Sequence, residues 1–306
     1  MACILSMSTP DVLIQVTDRR LIWPDGKMFN DYTNQVTIFN GRMAVSYAGL
    51  SKVLGQKTDE WLVQILANPT IRTLADAVYT IQDRATAAFR DWARMPKEKA
   101  RHHLMFGGIA WARQPGRQSL RVLICFVSNC HDEHGALQAE ARDDFRVHHR
   151  ILEPGDSHGL FNIGAALTTE ERHRLKERTR AATTLDDLTA GLVETVREVA
   201  ARDGTVSKNV LAVTIPRAVV EREWRDVMLL AGPPLTLNAL GSVYFPENWQ
   251  APIQYRPHFV YAGSGGIRRP GGAAMTPSRI ESSRAVSSFG RELATTPPAT
   301  PCRADC

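Results

Sequence analysis

Apolar positions in the first fifty residues alternate or cluster in short runs, the signature of strands. Val12-Leu13-Ile14-Gln15-Val16 is rich in β-branched residues and ends at Thr17-Asp18-Arg19-Arg20. A turn-prone stretch follows at Pro24-Asp25-Gly26-Lys27. Val36-Thr37-Ile38-Phe39 and Met43-Ala44-Val45-Ser46-Tyr47-Ala48 flank Asn40-Gly41, a strong hairpin signal because both turn positions tolerate positive φ. The period then changes to helical. Thr58 is placed to cap a segment with Asp59 and Glu60 in its first turn and Trp61, Leu62, Ile65 and Leu66 on one face. A longer amphipathic helix carries Leu74, Val78, Ile81, Ala85, Ala88 and Trp92.

Strands return at Leu104–Ala112 and Leu120–Ser128, with Phe145-Arg146-Val147 as a short third piece. A second helical pair is predicted at about 168–182 and 184–202. In the latter, Leu185, Leu188, Leu192, Val196 and Val199 form the stripe, and Thr184 with Asp187 resembles a capping box. Val210–Ile215 reads as a strand closed by Pro216. Strands, two helices, strands, two helices, strands is a segregated order that predicts layered sheets with helices outside. Residues 217–262 contain strand-like pieces near Tyr244-Phe245-Pro246 and Tyr255-Arg256-Pro257-His258. Residues 263–306 are rich in Gly, Ser, Pro, Thr and Arg with almost no large apolar residues, and are expected to be a disordered tail.

Composition narrows the class without naming it. At 306 residues, with 43% hydrophobic and 23% charged, the chain has enough material for one domain of about 200–250 residues plus extras. No apolar run approaches the roughly 18–20 residues that span a bilayer, and the first residues lack a positive flank, so no membrane association and a cytoplasmic location are expected. Five irregularly spaced cysteines do not make a disulfide framework. Net charge is +5, much of the excess falling in the tail, which argues only weakly for nucleic acid.

The run Asp11-Val12-Leu13-Ile14-Gln15-Val16-Thr17-Asp18-Arg19-Arg20, followed by Ala44-Val45-Ser46-Tyr47-Ala48-Gly49, resembles the opening of proteasome β-type subunits and of the related peptidase of bacterial two-component proteases. The residue-level match is confined to the first fifty residues and to Arg202-Asp203-Gly204-Thr205-Val206-Ser207. The similarity in element order covers about residues 1–216. The resemblance implies an α+β fold of the N-terminal-nucleophile (Ntn) hydrolase type: a four-layer αββα sandwich of two antiparallel sheets flanked by helices. It also implies a chemistry. The side chain of the mature chain's first residue is the nucleophile, and its free amine is the general base, titrating near ~8. A buried Asp, a Lys on the next hairpin, a second Asp after the fourth helix and an amide N–H after the first hairpin support it.

Carried over position by position, Asp18 and Arg20 match the strand Asp and the Arg beyond it, Asp203 the second Asp with Ser207 in the following turn, and Ala48-Gly49 the oxyanion turn. The expected Lys, thirteen positions before Ala48, falls on Gln35, a neutral amide that cannot lower a neighbour's pKa as an ammonium does. Sixteen residues before Asp18 stands Ala2, with no nucleophile, and Cys3 is the adjacent candidate.

Other constellations have plainer readings. Cys125, Cys130, His131 and His134 match no usual zinc spacing, so no metal is expected. Arg101-His102-His103 reads as a solvated loop, and the mixed charges of 170–180 as a solvent-facing helix. Asp143-Asp144 and Asp186-Asp187 are sequence neighbours that point apart on a helix, and Gly263-Ser264-Gly265-Gly266 lacks the Lys-Ser/Thr of a phosphate loop, so no cofactor is expected. Three functions stay open. One is a catalytically degraded relative acting through assembly or binding as a homo-oligomer. The second is an active peptidase or amidohydrolase on a peptide or small amide. The third is a basic nucleic-acid-associated module.

Overall fold

The structure is a computed structural model and describes residues 2–22, 28–31, 33, 35–68, 70–71, 74–93, 104–113, 120–132, 138, 140–152, 159–218, 220–221, 240–244 and 258–260. Chain order begins β1 (Cys3–Ser8), β2 (Val12–Asp18), β3 (Leu21–Ile22), β4 (Met28–Asn30), β5 (Val36–Phe39), β6 (Met43–Gly49), β7 (Lys52–Val53) and β8 (Gln56–Lys57). Helices α1 (Thr58–Leu66) and α2 (Leu74–Ala93) follow, then β9 (Leu104–Arg113), β10 (Leu120–Ser128), β11 (Arg146–Leu152) and β12 (Leu160–Gly164). The chain continues with α3 (Thr169–Ala181), α4 (Leu185–Arg202), β13 (Val210–Pro216), β14 (Leu240–Tyr244) and β15 (His258–Val260). It is a mixed α+β fold. Its two large sheets have the orders β12-β1-β2-β13-β14 and β11-β10-β9-β6-β5-β15.

β1 and β2 are buried on both faces, which is why Val12-Leu13-Ile14-Gln15-Val16 reads as a run and not as an alternation. Alternation still decides which neighbour each side chain meets. From β1 and β2, Cys3, Leu5, Met7, Ile14 and Val16 pack with Leu175, Leu192, Val196 and Val199 of α3 and α4. From β5 and β6, Phe39, Met43, Val45 and Tyr47 pack with Leu62, Leu66, Val78 and Ile81 of α1 and α2. A third cluster joins the two sheets: Leu13, Leu211, Val213 and Ile215 of one meet Val36, Ile38, Ile109 and Ile124 of the other. Trp111 donates its indole N–H to Ile215 O across the same space at 2.9 Å. Each fully buried Leu, Ile or Val in these clusters stabilises the fold by roughly 1.5–3 kcal/mol relative to exposure.

The Asn40-Gly41 hairpin forms as read, with φ of 50° and 64° at the two positions and Phe39 opposite Met43. Four expectations are corrected. Thr58 does not cap α1: Lys57 holds the N-cap position, and the Thr58 hydroxyl donates to Leu50 O at 2.7 Å. The sheets are not wholly antiparallel, because β15 lies parallel to β5. A parallel partner satisfies the backbone of the β5 edge as an antiparallel one would. The helix α3 is not simply solvent-facing. Glu171, Leu175 and Thr179 are buried, because one face of the helix turns toward α4, where Arg178 donates to Thr195 and Glu198. The piece at Phe145-Arg146-Val147 extends to Leu152, paired along its length with β10, and β12 is an edge strand that no periodicity announced. The expected tail, 263–306, and Arg101-His102-His103 lie outside the described residues.

Candidate functional site

Asp18 ends β2, and its carboxylate gathers three separate segments. Oδ1 accepts the Cys3 N–H at 2.7 Å, while Oδ2 accepts the N–H groups of Arg20 and Ser207, each at 3.1 Å. Asp18 is fully buried. Burial pushes its carboxyl up from the ordinary range to about 7, against the three N–H bonds that pull the other way. Arg20 does not pair with Asp18. Its guanidinium makes a two-pronged contact with Asp31, Nε to Oδ1 at 3.0 Å and Nη2 to Oδ2 at 3.3 Å, and Nη1 donates to Gly204 O at 2.6 Å. Asn209 donates to the same Asp31 carboxylate at 3.1 Å, so the loop after α4 is fastened to both ends of the β3–β4 pair.

The residues expected to share a site divide between the two faces of the five-stranded sheet. The Cys3 side chain belongs to the helix-side cluster under α3 and α4, where it is fully buried. Burial first, then the nearby Asp18 and Glu171 carboxylates, push its thiol far above the ordinary value. Ala2, one position earlier, faces the other way and packs with Ile4, Ala48, Met105 and Cys130. Thus Ala48, of the expected oxyanion turn, lies on the side of Ala2, and Gly49 beside it has a positive φ of 112°. Gln35 is buried immediately before β5, and its amide serves Thr17 and not Asp18. Oε1 accepts the Thr17 hydroxyl at 3.0 Å and Nε2 donates to Arg20 O at 2.9 Å. Asp203 accepts the N–H and hydroxyl of Thr205 at 2.9 and 2.6 Å. Burial acts to raise the Asp203 carboxyl, and the Thr205 bonds outweigh it, leaving it below its ordinary value. Ser207 accepts the Asn209 N–H on its hydroxyl at 2.9 Å and reaches Asp18 through its backbone.

Two groups near this centre escaped the sequence reading. Glu171, almost fully buried, accepts two bonds from the Arg202 guanidinium at 3.0 and 3.1 Å and closes a capping box with Thr168. The signal was present as Thr168-x-x-Glu171, but the surrounding charges masked it. Between the sheets, Gln15 donates to Ser6 at 3.0 Å and accepts from Ser46 at 2.7 Å, a buried polar link with no local signature. Cys125 and Cys130 fall into different clusters, one against the helices and one between the sheets, and His134 lies outside the described residues. Among the described residues no three His, Cys, Asp or Glu converge as a metal site. No helix there is long and apolar enough to cross a membrane.

No family model matches the chain, and no curated protein does. Among solved structures it is similar to Anbu (ancestral beta-subunit) from Yersinia bercovieri, at 11% identity and a TM-score of 0.42, over 75% of this chain and 94% of that one. At that score the likeness transfers no residue-level role.

Proposed function

We propose that the chain is a proteasome-type β-subunit relative, its two sheets and four helices forming an αββα sandwich, that acts in the cytoplasm through assembly or binding and not by hydrolysing amides. One observation carries this reading: strand alternation puts a methyl group, Ala2, on the face shared with Ala48, and turns the Cys3 thiol under α3 and α4. A nucleophile must meet both its base and the forming oxyanion, and a thiol raised by burial and two carboxylates is a poor thiolate. Gln35 supports the same reading, since a neutral amide bonded to Thr17 supplies no positive charge to activate a neighbour. What survives is the Asp18 cradle, which locks the first hairpin to the loop beyond α4 and suits a structural role.

The test is to isolate the protein from its own cells, weigh it, and expose it to peptide epoxyketones and fluorogenic peptides. The expected outcome is no covalent adduct, no turnover, and an oligomer in native mass spectrometry. A mature chain beginning at Cys3 that is labelled there would overturn the non-catalytic reading, because the Cys3 nitrogen already sits 2.7 Å from Asp18. A monomer at micromolar concentration would remove the assembly half.

A further inference from the structure

Beside the start of β1, a cavity of about 390 Å³ opens between β12 and the inner face of β9 and β10. Its size lies at the small end of the range that holds metabolite-sized ligands. The inner wall is apolar, built from Met105, Phe126 and Ile163, and it ends at Gly164, opposite Cys3 in the strand register. Gly164 cannot be replaced there without displacing the start of β1: a Cβ would lie 1.9 Å from Ala2 O. Met105 and Ile163 also pack in the cluster that contains Ala2, so the floor of the cavity is the same cluster.

Two nitrogen-bearing side chains able to carry positive charge stand on its walls, His131 and Arg172. The His131 ring is held on two sides. Its Nδ1 lies 2.8 Å from Ser128 Oγ, and its edge meets Phe126 with ring centres 5.0 Å apart. Phe126 is itself stacked on His148 at 4.4 Å, so the imidazole is backed by a fixed aromatic pair. Arg172 sits at the exposed rim, its Nε donating to Leu167 O at 3.3 Å, which orients the guanidinium. Asn162 also lines the space, but its amide is engaged with the Ile4 and Ala165 carbonyls and the Leu167 N–H. No carboxylate lines the cavity among the described residues. An apolar body with a single carboxylate fits this distribution: hydrocarbon against Met105 and Phe126, and the anion at the Arg172 rim, where a guanidinium pairs a carboxylate through parallel N–H bonds.

We infer that this cavity is a binding site for a small monocarboxylate with an apolar body, either a free medium-chain acid or the terminal residue of a peptide. The site does not depend on whether the chain hydrolyses anything. Calorimetric titration of the full-length protein at low salt would use octanoate and N-acetyl-leucine, each beside its neutral amide. Each acid that binds is expected to bind at least about tenfold tighter than its amide, by the strength of a charge-assisted pair. The tighter of the two acids identifies the source. Arg172→Ala, at an exposed position, is expected to keep the fold, checked by its melting temperature, and to erase the preference for acid over amide. Ala166→Phe, which fills the mouth, is expected to weaken both acids at least tenfold. Binding of neither acid, equal binding of acid and amide, or a full preference retained by Arg172→Ala would overturn the assignment.

Discussion

Asp18 shows how one side chain sets a property of the whole fold. In the unfolded chain an aspartate titrates near ~3.9, whereas the buried Asp18 carboxyl titrates at about 7. Between those values the folded state binds the extra proton. Its contribution to stability is therefore fully present at low pH and is lost as pH rises through about 7. The difference is on the order of 4 kcal/mol at most. Urea unfolding at pH 4.5, 6 and 8 is expected to show this fall in wild type and its disappearance in Asp18→Asn, which is less stable at pH 4.5. A wild-type slope that persists in the variant would place the proton elsewhere. Asp18 was legible in the sequence only through the resemblance of Asp11–Arg20 to the opening of proteasome β-type subunits, and its three N–H partners were not legible. Two of them come from segments 15 and 189 residues away, and no local pattern encodes that.

At the scale of elements, the helix pair α3–α4 and strand β12 show different kinds of legibility. The stripe of Leu188, Leu192, Val196 and Val199 was readable because a helix with one buried face repeats its apolar positions. Glu171 looked like part of a solvated charge run and is instead the buried acceptor of Arg202 and of the Thr168 cap. Replacing Glu171 by Ala is expected to cost about 1–2 kcal/mol, from the lost cap and the loss of a carboxylate partner for the partly exposed Arg202. Glu171→Gln, which keeps the cap, should cost less; equal losses in chemical denaturation would refute this division. Strand β12 gave no signal because an edge strand with half-exposed positions has no clean period. Its last residue is nevertheless critical. Gly164 has φ +85°, and any Cβ would strike the Ala2 carbonyl. Gly164→Ala is expected to destabilise by more than about 3 kcal/mol or to detach the start of β1, visible as lost amide protection at Cys3–Leu5.

Across the whole molecule, the spacing of the two sheets depends on contacts that are distant in sequence. A Cβ on Gly107 would lie 2.2 Å from the Ile163 side chain of the opposite sheet. Gly107→Ala alone is therefore expected to cost about 1–3 kcal/mol by overpacking, and Ile163→Ala should cost a similar amount by leaving space. The double variant should be more stable than the sum of the single losses predicts, since the small residue makes room for the methyl. Strict additivity in the denaturation cycle would show that the sheets do not meet there.

Sequence periodicity by itself placed the four helices and the strands β2, β5, β6, β9, β10 and β13, since turn chemistry at Asn40-Gly41 and the stripes of α2 and α4 are local properties. It also determined that Ala2 and Cys3 stand where the resemblance expects a nucleophile. Tertiary structure alone decided which of the two faces Ala48, because a strand's register is set by its partners and one residue of offset exchanges its faces. It alone brought the Ser207 and Cys3 amides to one carboxylate, and added β14 and β15 to sheet edges from a stretch without a strong pattern. Those outcomes depend on long-range pairing, whose energy is paid back only when the whole fold closes.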